Sequence, residues 1–93
     1  MSPEKIMALR AALQAIPGMC SYYWQKIFCD RGHPSVHIIV CLGYGFEHDD
    51  AAEVAIEMLK RDMEGIFVNM TVIVTHSEKS FWTLRASAMR DLK

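Results

Sequence analysis

The chain has 93 residues, 52% of them apolar and 23% charged, with ten basic side chains against eleven acidic ones. That length holds one domain with one core. The net charge of −1, spread along the chain, argues against nucleic acid, whose phosphates call for clustered Lys and Arg.

The elements follow in order. Ser2 and Pro3 mark a helix start, Ser2 as N-cap and Pro3 at the first helical position, where its missing N–H costs nothing. Ile6, Leu9, Leu13 and Ile16 then recur at the spacing of one amphipathic stripe, and Pro17-Gly18 stops it. Met19 to Cys29 is rich in aromatics and reads as a strand. Residues 30–34 (Asp-Arg-Gly-His-Pro) supply turn chemistry. Val36 to Leu42 then makes a second, β-branched strand, so the two form a hairpin. Gly43-Tyr44-Gly45 breaks the pattern.

Asp50-Ala51-Ala52-Glu53 matches a capping box, with Asp49 adding negative charge at the helix start. Ala52, Ala55, Ile56, Leu59 and Met63 form the buried stripe of this second helix, Glu57 and Arg61 can pair on its outer face, and Gly65 ends it. Ile66 to His76 reads as the third strand, centred on Val72-Ile73-Val74. Ser80 to Leu92 returns to helical spacing through Phe81, Leu84 and Ala88, with Ser80 as cap. A strand, helix and strand in series favours parallel pairing of the second and third strands.

The expected fold is therefore α+β, in the order α-β-β-α-β with a three-stranded mixed sheet and an added C-terminal helix. Both faces of the sheet are apolar: Val36, Ile38, Val40 and Leu42 lie on one, Ile39 and Cys41 on the other. The first two helices cover one face. The C-terminal helix, a partner subunit or both must cover the other, and a homodimer is expected.

Cellular setting follows from what the sequence lacks. The longest apolar run is about five residues, against the ~20 that a bilayer span requires. No signal peptide is visible, because Glu4, Lys5 and Arg10 interrupt the N-terminal segment. The expected location is cytoplasmic, without direct membrane insertion. Cys20, Cys29 and Cys41 form an odd set without CxxC spacing, which reads as reduced thiols rather than a disulfide framework. Met1 stands one residue ahead of a helix start, as expected of a complete short gene product; a piece of a larger transporter is the alternative.

The motifs together resemble a known family. Ile16-Pro17-Gly18-Met19 looks like the segment that opens the cytoplasmic C-terminal domain of cation diffusion facilitators. Ser35-Val36-His37-Ile38-Ile39-Val40 follows in the family order. Asp50-Ala51-Ala52-Glu53-Val54-Ala55 is similar to the family's helix motif, and Thr75-His76-Ser77-Glu78 to its closing motif. The resemblance covers about residues 4–78. It implies a ferredoxin-like, metallochaperone-like domain over residues 1–78, with residues 79–93 as an added helix on or beside it. It further implies a dimer that binds divalent metal near its interface.

Carried over by position, the implied ligands are His37, His76 and Glu78. Imidazole and carboxylate donors suit Zn²⁺, Cu²⁺ or Ni²⁺, with water completing four-coordination. Two positions depart from the family pattern: Ala52 stands where a helix His is expected, and no Pro follows Glu78. Tyr23 stands at roughly the position of a His in the family's bacterial zinc transporters.

The other candidates read more plainly. His48 precedes a helix start, where an imidazole often only caps, and His33 lies in a turn. His37 and Cys41 share a strand face but lie about 13 Å apart, too far to share one ion. The seven methionines read as packing residues. No catalytic triad, P-loop or dinucleotide-binding glycine pattern is present, so no enzyme is expected. The implied function is metal sensing, buffering or regulation of transport, with a membrane cation transporter as a further partner. A metal-independent dimerisation or regulatory module of ferredoxin-like type is the alternative.

Overall fold

A computed structural model of the chain describes residues 3–28, 34–46, 48–67 and 69–91. Six elements follow in the order α1 (Pro3–Gln14), β1 (Met19–Phe28), β2 (Pro34–Leu42), α2 (Asp50–Asp62), β3 (Asn69–Thr75) and α3 (Glu78–Asp91). The architecture is α+β, compatible with the ferredoxin-like type. One sheet has the order β1-β2-β3. β1 pairs antiparallel with β2, and β2 pairs parallel with β3 across the α2 crossover. The expected N-cap Ser2, the residues Cys29 and His33, and Leu92 lie outside the described residues.

Because side chains alternate along a strand, β2 builds two cores. Val36, Ile38, Val40 and Leu42 point to the face covered by α1 and α2. There they join Leu9, Leu13 and Ile16 from α1 and its exit, Ala52, Ile56 and Leu59 from α2, and Met63 and Phe67 beyond it. The α1 and α2 stripes are those that the spacing predicts, with Ile6 and Ala55 only half-buried. Ile39 and Cys41 point to the other face and meet Phe81 of α3, with Tyr23, Leu84 and Ala88 around them. The C-terminal helix thus covers the second face at its centre. Phe81 is 2% exposed, and burying a ring of that size contributes on the order of 2–3 kcal/mol.

Local chemistry shifts several boundaries. Asp49, not Asp50, is the N-cap of α2: its backbone is extended and its Oδ2 accepts the Ala52 N–H at 2.9 Å. Glu57 pairs with Lys60 at 3.5 Å rather than with Arg61. Ile66 and Phe67 do not begin β3, because both N–H groups donate to Met63 O, each at 3.0 Å. That turn brings Phe67 into the core. The last helix begins at Glu78, two residues before the expected Ser80. Ser77 caps it, its Oγ accepting the Ser80 N–H at 3.4 Å.

Candidate functional site

In a β-α-β unit the carboxyl ends of parallel strands and the start of the helix meet at one edge, the usual place for a ligand. Here that edge carries a cleft of about 400 Å³. Leu42, Ala52 and Ile56 give it apolar walls, Phe46 and Val74 flank it, and His48, Asp49, Asp50, Glu53 and His76 supply its polar groups. Backbone devices hold each side in place. The Thr75 hydroxyl donates to Val40 O at 3.0 Å, fixing the end of β3 just before His76. Gly43 N donates to Gly18 O at 2.7 Å, tying the exit of β2 to the turn after α1. Gly18 (φ +80°) and Gly45 (φ +95°) adopt left-handed backbone, which a side chain disfavours.

The electrostatics of this cleft are mixed. The start of α2 presents a partial positive charge of roughly half a unit. Asp49, Asp50 and Glu53 answer it with three carboxylates, one of which is engaged by the Ala52 N–H. The balance favours a cation, and two imidazoles add nitrogen donors.

A second cleft, of about 170 Å³, opens between the sheet and α3, lined among others by Tyr23, Gln25, His37, Ile73 and Leu84. His37 stands opposite Gln25 in the β1–β2 ladder, and the Tyr23 hydroxyl donates to Gln25 Oε1 at 2.9 Å. The donors and acceptors around His37 are neutral. On the same face the Arg85 guanidinium lies 5.2 Å from the Tyr23 ring centre and 5.1 Å from that of Trp82, while Phe81 and Trp82 meet edge-on.

The three residues expected to ligate together are not brought together within one chain. His37 pairs with Thr71 and Cys41 with Thr75 in the parallel ladder, so His76 lies five residues beyond the level of His37. That is about 16 Å along the strands, and an odd step turns the side chain to the opposite face. His37 accordingly lines the α3-side cleft and His76 the α2-side cleft. Glu78 is exposed in the first turn of α3, where a carboxylate complements the helix dipole. Adjacent strands are thus not enough; register and face decide. Among the described residues, no group of three or more His, Cys, Asp or Glu side chains is placed to hold a metal ion.

What the structure does bring together is His48 and His76. By sequence alone His48, just ahead of a helix start, reads as a cap. The usable signal was topological: both residues flank the carboxyl ends of strands predicted to be parallel. Tyr23 lies beneath Arg85. No described helix is long and apolar enough to cross a membrane. Comparisons with protein-family models, with curated proteins and with solved structures return no match.

Proposed function

We propose that the chain is a dimeric, cytoplasmic regulatory domain that binds a divalent transition metal ion, Zn²⁺ or Cu²⁺, in the cleft at the carboxyl ends of β2 and β3. The observation that carries the reading is that His48 and His76 line one cleft with Asp49, Asp50 and Glu53. Imidazole with carboxylate suits these borderline ions. Among the described residues no three such side chains converge in one chain, so water or a second subunit completes the coordination. His37 and Glu78 enter such a site only together with donors from another subunit. The resemblance to cation diffusion facilitator domains supports the same reading and adds a membrane cation transporter as a partner.

Calorimetric titration of chelator-stripped protein with Zn²⁺ and Cu²⁺ tests this. Binding is expected in the wild type and in His37→Ala, and is lost in His48→Ala/His76→Ala. Equal behaviour of wild type and the double variant would remove the site.

A second reading, a metal-independent dimerisation module, is favoured by a different observation. β3 is an edge strand, and Ile73 and Val74 are left 38% and 39% exposed. Absence of any metal binding together with a stable dimer is its expected signature.

A further inference from the structure

We propose that the outer edge of β3 pairs with the same edge of a second copy of this chain, antiparallel about a two-fold axis, so that two three-stranded sheets become one continuous sheet. This deepens the dimeric part of the functional reading and does not depend on the metal.

β3 has β2 on one side only. Along a strand paired in parallel, alternate residues direct both N–H and C=O outward. Among the described residues, no backbone hydrogen bond outside the ladder involves Asn69–Thr75. Such a row of unmet backbone groups takes an extended strand.

Proteins ordinarily blunt an exposed edge with charge, proline or a bulge. β1, the opposite edge, carries Lys26 and an irregularity between Met19 and Ser21. β3 (Asn-Met-Thr-Val-Ile-Val-Thr) has no charge and no proline, and its register against β2 is unbroken from Asn69 to Thr75. Seven residues give an edge about 23 Å long.

Self-pairing selects the second copy as occupant. A two-fold axis perpendicular to the sheet makes the contact isologous and the strands antiparallel. Centred on Val72, it sets Thr71 against Ile73, Met70 against Val74 and Asn69 against Thr75. Every pair is uncharged, and β-branched side chains favour such neighbours. Ile73 and Val74 project to opposite faces beside the edge, so both faces of the joint gain apolar contact.

Sedimentation in the presence of a chelator, with Ile73→Lys/Val74→Lys beside Met7→Lys, decides it. Met7 is exposed on α1, away from the edge. Wild type and Met7→Lys are expected to sediment as dimers at micromolar concentration, and the double lysine variant as a folded monomer with unchanged far-UV circular dichroism. A double variant that remains dimeric overturns the edge while leaving a dimer standing. A monomeric wild type overturns both, and leaves the edge to a strand of some other protein. Should the variant fail to fold, hydrogen exchange of the wild type replaces it: β3 amides are expected to lose protection on dilution through the dimer–monomer range. Concentration-independent protection of β3 overturns the proposal.

Discussion

Gly18 lies against the ring of Phe46, so closely that a Cβ at Gly18 would overlap Phe46 Cγ. Two causes therefore exclude a side chain there: left-handed backbone, with φ +80°, and occupied space. Gly18→Ala is expected to destabilise the fold by roughly 2–4 kcal/mol, read as a lower urea midpoint. In a Phe46→Ala background the steric part of the penalty disappears and only the backbone part remains. An equal penalty in both backgrounds would show that the ring contact is immaterial.

The cap of α2 offers a finer test. Asp49→Ala is expected to cost about 1 kcal/mol, while Asp49→Ser and Asp49→Asn stay close to wild type. Asp50→Ala, which removes only a first-turn charge, is expected to cost less, on the order of 0.5 kcal/mol. Thermal melts of the four variants would check the order, and the reverse order would return the cap to Asp50.

Thr75 joins the strand end to β2 by its side chain as well as its backbone. Thr75→Val keeps the shape but removes the donor to Val40 O. The expected cost is about 1 kcal/mol. Because His76 follows directly, Zn²⁺ affinity is expected to fall in the same variant, whereas an equally destabilising change at Leu9 leaves affinity unchanged once the protein is folded.

Phe81→Ala is expected to cost roughly 3–5 kcal/mol, because among the described residues that ring is the only buried side chain that α3 contributes. Arg85→Ala, which removes the cation over Tyr23 and Trp82, is expected to cost about 0.5–1 kcal/mol. Denaturant midpoints for the two variants would check the ratio.

Much of the fold was legible because periodicity and punctuation agreed. Leu9, Leu13 and Ile16 announced α1, Ala52 to Met63 announced α2, and the turn residues after Leu42 placed the crossover that makes β2 and β3 parallel. The boundaries that moved did so for local reasons invisible to periodicity. Asp49 competes with Asp50 for the same orphan N–H groups, Phe67 turns inward after α2 instead of extending β3, and Ser77 takes the cap that Ser80 could also have filled. The site was less legible. Strand adjacency follows from connectivity, but the level and face of His37 and His76 depend on a parallel register that no local motif encodes. The cleft shared by His48 and His76 is a product of topology, from residues far apart in sequence.

The smaller core beneath α3 gives the protein a chemical clock. Cys41 is buried there, 3% exposed, and Phe81 packs against its cluster, whereas Cys20 is exposed. A thiol reagent reaches Cys41 only when α3 lifts from the sheet. In a Cys20→Ser/Cys29→Ser background the labelling rate of Cys41 therefore measures how often the helix departs. That opening disrupts a smaller buried cluster than the α1–α2 side holds, so it is expected at the low end of the local unfolding free energies. The last helix is thus expected to act as a latch on the sheet, its departure exposing Ile39 and Cys41 beside His37 in a single step.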